Sequence, residues 1–247
     1  MQRPTVEQVV AEFVGTLALV FIGAGAVAVL GPQLGGQAVV GIALAHGLVL
    51  AIMVSNLGHI SGGHFNPAVT VAVWVAGRIG TLRGLVYVVA QLLGAAAGAG
   101  LLRWALPETI WQQTALGLPQ VNAAAGISDG KAVLLEAVLT FFLVFTVFAA
   151  AVDERGAFGK VAGLTIGLVL TMDILVGGPL TGASMNPART FGPALVAGEW
   201  GDFWVYVAGP LAGAIIAASL YWLTFLRARE LAPSPEPAPA RLEPEGR

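Results

Sequence analysis

Charge is what this sequence lacks most. Only 11% of its 247 residues are Asp, Glu, Lys or Arg, whereas a soluble domain carries about 25%. A surface so poor in charge cannot face water on all sides, and a mean hydropathy of +0.82 assigns the chain to the membrane. Cysteine is absent, which excludes disulfides, thiol chemistry and Cys-ligated metals. Three histidines, two of them (His59 and His64) in one short stretch, are too few for a metal cluster, so no cofactor or metal is expected. Fourteen acidic residues against twelve basic ones leave no excess of positive charge to hold nucleic acid. The opening MQRPTVEQVVAEF is polar for too long to read as a cleaved signal peptide.

What the chain has instead is long apolar runs. Crossing a bilayer takes about 20 residues. Six stretches qualify, near 6–30, 38–57, 82–106, 131–152, 159–178 and 202–226. The stretch 107–130 reads as a surface connection, rich in turn residues and amides. The tail 231–247, rich in Pro, Glu, Ala and Arg, reads as a disordered cytoplasmic segment after a single unit spanning 1–230. With the N-terminus inside, Arg3, Arg78, Arg83, Arg155, Lys160, Arg227, Arg229, Arg241 and Arg247 lie inside, against Arg103, Lys131 and Arg189 outside. That bias puts both termini in the cytoplasm. Trp104, Trp200, Trp204 and Trp222 fall at span ends, as interface anchors do.

The chain also repeats itself. SGGHFNPAVT (61–70) and TGASMNPART (181–190) share Gly62/Gly182, Asn66/Asn186, Pro67/Pro187, Ala68/Ala188 and Thr70/Thr190. VAEFVGTLALVF (10–21) matches LEAVLTFFLVF (135–145), aligning Glu12 with Glu136 and Thr16 with Thr140. YVVAQLLGA (87–95) matches YVAGPLAGA (206–214). A unit of three spans, about 6–106, is therefore followed by a second, about 131–226. Three is odd, so the second unit enters from the opposite side as an inverted repeat.

Within each unit, Asn-Pro opens a short apolar segment, 66–77 and 186–197. Asn is a preferred N-cap and Pro a preferred first helical residue. Twelve helical residues reach about 18 Å, too short for a core of about 30 Å. The two segments are expected to dip in from opposite faces and meet at the midplane, the arrangement that marks a transport site. Two helix N-termini there would repel cations. Asn66 and Asn186 would each offer an amide N–H to a passing oxygen.

On these motifs the sequence resembles the aquaporin, or major intrinsic protein, family over roughly residues 6–226. The resemblance implies an all-α membrane protein of six transmembrane helices and two re-entrant half-helices. It further implies a homotetramer and a passive water channel that excludes protons and ions. By that resemblance Asn66, Pro67, Ala68, Asn186, Pro187 and Ala188 form the pore motifs, and His46, Ile174, Ala183 and Arg189 the selectivity filter. This filter resembles that of plant tonoplast-type and ammonia-permeable members. It gives a wider, more polar constriction in which ammonia and hydrogen peroxide pass with water. A glycerol-type filter is disfavoured by Thr190 and Ala194, which stand where such members carry acidic and basic residues. Two departures are the absence of His from 107–130 and Val207 in place of a Trp.

Glu12 and Glu136 are charges inside spans, and bracing each re-entrant loop through its backbone N–H groups is the expected role. His59 and His64 are expected to brace the first loop. Helical spacing turns Asp173 away from the pore-facing side of Ile174. Three rival readings stay open: a glycerol facilitator, a non-conducting structural membrane protein, and a proton-coupled transporter with His46 as its titratable group. The excess of Arg over Lys and the short termini suit a prokaryotic inner membrane.

Overall fold

The computed structural model describes residues 3–155 and 161–227, and shows helices and connections but no strand among them. Six helices are long and apolar enough to cross a membrane: Val6–Gln33, Gly35–Ser61, Thr81–Ala105, Asp129–Val152, Ala162–Thr181 and Val205–Leu226. They are called the first to sixth spans below. Two short helices, Pro67–Val75 and Pro187–Ala197, form the first and second half-helices. Four of the cations used to orient the chain (Lys160, Arg229, Arg241 and Arg247) and the tail 231–247 lie outside the described residues.

The local causes are visible at the helix ends. Thr5 caps the first span in a reciprocal box, accepting from Gln8 N at 3.3 Å while its own N–H donates to Gln8 Oε1 at 3.2 Å. The second and fifth spans each end on a left-handed glycine, Gly62 (φ 97°) and Gly182 (φ 79°). Asn66 and Asn186, both extended, cap the half-helices, with Pro67 and Pro187 in the first helical position.

Packing follows the repeat. The first span pairs with the third, the fourth with the sixth, and the second with the fifth. At each crossing, small residues let backbones touch. A Cβ on Gly94 or Gly98 would strike the first span at Phe13 or Leu17, and one on Gly209 or Gly213 would strike the fourth at Glu136 or Ala137. Without a hydrophobic drive inside lipid, such close van der Waals contact is what holds spans together. Each half-helix packs chiefly on the far repeat, the first on the sixth span and the second on the third. The two repeats are therefore interlocked rather than side by side. Outward-facing positions such as Leu48, Leu85, Leu134, Leu168 and Ile216 are large, apolar and exposed, as a lipid face requires.

The stretch 107–130 corrects an expectation. It is not only a surface connection, because Ala115, Leu116 and Gly117 are buried. Their φ values of 45°, 59° and 72° turn the chain back into the bundle. Gly117 lies so close to the Ala24 carbonyl that no side chain would fit.

Candidate functional site

Both re-entrant loops run through left-handed backbone. Gly62, Gly63 and Phe65 have φ of 97°, 65° and 47°, and Gly182, Ala183 and Met185 have 79°, 46° and 51°. Loops strained in this way persist only where the surroundings hold them.

Two carboxylates do the holding, each fully buried. Glu12 Oε1 accepts from Ser61 Oγ at 2.6 Å and His64 N at 3.0 Å, and its Oε2 accepts from Phe65 N at 2.7 Å. Glu136 repeats this with Thr181 Oγ1 at 2.7 Å, Ser184 N at 3.0 Å and Met185 N at 2.7 Å. Further bracing comes from Tyr87, whose hydroxyl donates to Ser61 O at 3.0 Å, and Tyr206, whose hydroxyl donates to Thr181 O at 2.7 Å. Gln91 Nε2 donates to both Glu12 Oε2 (2.7 Å) and Thr70 Oγ1 (2.9 Å). Sequence reasoning missed Tyr87, Tyr206, Gln91 and Thr70 as supports. The Tyr pair stood in the matched stretches 87–95 and 206–214, and that register was the available signal.

His64 takes part in the bracing, with Nδ1 3.1 Å from Thr70 Oγ1 and its ring edge-on to Tyr87. His59 does not. The second span remains helical to Ser61, which leaves His59 on an exposed face with no hydrogen-bond partner among the described residues.

The two motifs meet and hold one another. Asn66 Nδ2 donates to Met185 O at 2.8 Å, and Asn186 Nδ2 donates to Phe65 O at 2.9 Å. Each Asn Oδ1 is spent on its own helix, accepting from Ala68 N (2.8 Å) or from Ala188 N (3.0 Å) and Arg189 N (3.2 Å). An amide nitrogen carries two hydrogens, so one N–H of each Asn remains. Both residues line a narrow cavity. Measured by where the centre of a water can sit, it holds about 20 Å³, little more than the room one water needs. Its lining combines apolar side chains, Leu19, Leu50, Val69, Leu143, Val147, Ile166 and Leu170, with the polar groups of His46, His64, Asn66, Ser184, Asn186 and Arg189.

Arg189 is 2% exposed. Its Nη1 donates to Gly117 O at 2.8 Å, which is what the inward turn of 107–130 accomplishes. Its Nη2 lies 3.3 Å from His46 Nε2, and its Nε is buried without a protein partner. His46 Nδ1 lies 2.9 Å from Ile42 O. A carbonyl can only accept, so Nδ1 carries the hydrogen and Nε2 is the bare acceptor that faces Arg189. Gly23, in a π-helical turn of the first span, makes room for this ring, since a Cβ there would meet His46 Cδ2 at 2.5 Å.

Of the four expected filter residues, His46 and Arg189 both line the cavity, in contact with each other. Ile174 and Ala183 are buried outside its lining, Ala183 against Gly177 of the fifth span. Asp173 is also buried outside the lining, and its Oδ2 has no hydrogen-bond partner. Among the described residues no group of three or more His, Asp or Glu could hold a metal.

A membrane-embedded bundle with a water-wide, largely apolar cavity carrying a few polar groups at the meeting of two half-helices belongs to the channel class. The family model for major intrinsic proteins matches residues 2–221. Among curated relatives, aquaporin TIP4-4 of Zea mays is 47% identical over 222 residues, covering 87% of this chain and 85% of the relative. Aquaporin TIP1-2 of Zea mays is 45% identical, covering 91% and 88%, and probable aquaporin TIP3-2 of Arabidopsis thaliana is 42% identical, covering 88% and 83%. The X-ray structure of the aquaglyceroporin from Plasmodium falciparum superposes with a TM-score of 0.77 at 24% identity, covering 92% of this chain and 99% of that one, a likeness of fold. The chain belongs to the major intrinsic protein family, the aquaporins. The relatives named are plant proteins, so the prokaryotic membrane expected from the sequence finds no support among them.

Proposed function

We propose that this protein conducts water passively through the cavity between Asn66, Asn186, His46 and Arg189, and that ammonia and hydrogen peroxide follow the same path. One observation carries the reading. Each motif Asn spends its oxygen on its own half-helix and one N–H on the opposite loop, leaving a single N–H directed by two independent bonds. A water accepting from both cannot also accept a proton from its neighbour, so a proton-relaying chain is broken there. Two half-helix N-termini add positive potential at the same point, and Arg189 adds a full charge nearer the mouth. Half-helix dipoles and an Arg as barriers to cations are general to aquaporin-type pores. The apolar side chains of the lining offer water no hydrogen bonds, so it is held at few points and moves on quickly. His46, smaller and more polar than a phenyl or indole ring, leaves polar room at the constriction, which suits ammonia. No bond is made or broken in passage, so the protein is not an enzyme.

Charge bias and family support two further elements. The protein assembles as a homotetramer with one pore per subunit, and both termini lie on the cytoplasmic side.

The test is stopped-flow shrinkage of proteoliposomes, with ammonia and glycerol entry measured in parallel, for the wild type and His46→Phe. Fast water flux with a low activation energy, and ammonia entry that His46→Phe suppresses, is the expected result. Shrinkage no faster than in empty liposomes would overturn the reading. Glycerol entry comparable to water would replace it with that of a polyol facilitator.

A further inference from the structure

We infer that a groove at the N-terminal side of the bundle holds one anionic phospholipid, a site separate from the conducting cavity. It lies where the first half-helix stops. That helix ends at Val75, and the chain turns away through Gly77 (φ 72°) to Arg78. The sixth span runs on past this point to Leu226. The mismatch leaves a recess of about 470 Å³ lined by Ala76, Gly77, Ala218, Ser219, Trp222 and Leu223. Ser219 and the Trp222 indole N–H are the polar side-chain groups among these, and the remaining apolar surface suits an acyl chain.

The mouth is cationic. Arg78 follows Gly77 directly and is exposed. On the opposite wall the Arg227 guanidinium lies 5.7 Å from the centroid of the Trp222 ring that forms part of the groove. Arg155 stands on the neighbouring end of the fourth span, with Nη2 donating to Phe225 O at 2.9 Å. Asp153 pairs with Arg155 at 2.6 Å and accepts from the Tyr221 hydroxyl at 3.1 Å, so this pair is neutral overall and the positive charge at the mouth comes from Arg78 and Arg227. Guanidinium forks match phosphate oxygens, and basic recesses between spans take anionic head groups. Charge also decides against a second copy of the chain as occupant, because docking face to face would bring the same arginines together.

The experiment uses the full chain in vesicles of equal phosphatidylglycerol and phosphatidylcholine. Spin-labelled lipids report relative association, and native mass spectrometry counts lipids retained. Wild type is expected to favour phosphatidylglycerol by at least fivefold, since each arginine near a membrane surface is worth about that factor. High salt should weaken the preference. Arg78→Gln with Arg227→Gln is expected to bring it near unity. Ser219→Phe, which fills the groove and keeps both cations, should lower retention of the bound lipid. Equal association of the two lipids with wild type overturns the proposal, and that measurement stands even if a variant fails to insert. So does unchanged retention in Ser219→Phe. Displacement of the lipid by inorganic phosphate at matched concentration would reduce the site to simple anion binding and likewise overturn it. Water flux plays no part in any arm, so the result is independent of the conduction reading.

Discussion

Glu12 accepts from four donors and Glu136 from three, and the difference traces to one pair of equivalent positions. On the third span Gln91 supplies an amide that reaches both Glu12 and Thr70. On the sixth span the matching residue is Pro210, which has no such group. The first loop is thus tied to its carboxylate, its helix and a neighbouring span at once. In the second half Ser184 replaces His64, and its hydroxyl donates to Asn186 O at 2.9 Å and lies 2.6 Å from Thr190 Oγ1. What the second half has instead is Arg189, where the first has Val69. The lesson is a division of labour. The duplicated backbone and its carboxylates build the half-helix junction twice, while unmatched side chains give one loop an extra tie through Gln91 and place a buried arginine beside the other.

Removing a carboxylate should have the largest effect. Glu12→Ala or Glu136→Ala strands two buried backbone N–H groups, each costing about 1–3 kcal/mol, so a loss of about 2–6 kcal/mol is expected. Melting in detergent should show it, with Glu12→Ala the worse because Gln91 also loses a partner. Equal tolerance of both changes would break the claim that these groups hold the loops.

A sharper contrast is Gln91→Leu against Pro210→Leu. The first should cost about 1–3 kcal/mol through loss of one bond to the Glu12 carboxylate and one to Thr70 Oγ1, and the second far less. Identical melting shifts would show that Gln91 is not the source of the asymmetry.

Arg189→Val gives the second half the residue of the first. Water flux should persist, while entry of cations and larger neutral solutes should rise several-fold in the same liposome assay, because the mouth loses its charge and its bond to Gly117 O. An unchanged solute profile would remove Arg189 from the barrier.

The smallest effect concerns pH. The Arg155 guanidinium, hydrogen-bonded to Asp153, holds that carboxyl well below the usual carboxylate range, with the Tyr221 hydroxyl assisting against its desolvation. A depressed folded-state value means the contribution is complete above the unfolded value of about 4 and is lost as pH falls through the folded one. Melting temperature should be level from neutral pH down to about 5 and decline below about 4. Asp153→Asn should be less stable at neutral pH and show a shallower acid decline. The ion pair has an exposed partner, so the shift should be modest.

Much of this architecture was legible in the sequence, because apolar length and internal repetition report directly on spans and on inversion. The half-helix boundaries moved by at most two residues, from 66–77 and 186–197 to Pro67–Val75 and Pro187–Ala197. Glu12 and Glu136 were legible as loop supports because an unpaired charge inside a span demands a partner. The rest required distances across the chain. Asn66 and Met185 are 119 residues apart, and Arg189 and Gly117 are 72 apart. No periodicity encodes such pairs. The inward turn of 107–130 was missed because left-handed φ at Ala115 and Leu116 leaves no compositional mark. His59 was misread because its place in the sequence, beside a loop, says nothing about the side of a helix it faces.

The reciprocal bonds between the two Asn residues and the opposite loops have an evolutionary consequence. Neither loop is closed by its own half, since Asn66 completes the loop of 181–190 and Asn186 that of 61–70. A single three-span unit would be left with an open carbonyl and an unspent amide, and two such units facing in opposite directions would satisfy each other. The present chain has the form of that antiparallel pair joined end to end, its two motifs keeping the shared contact while their surroundings differ.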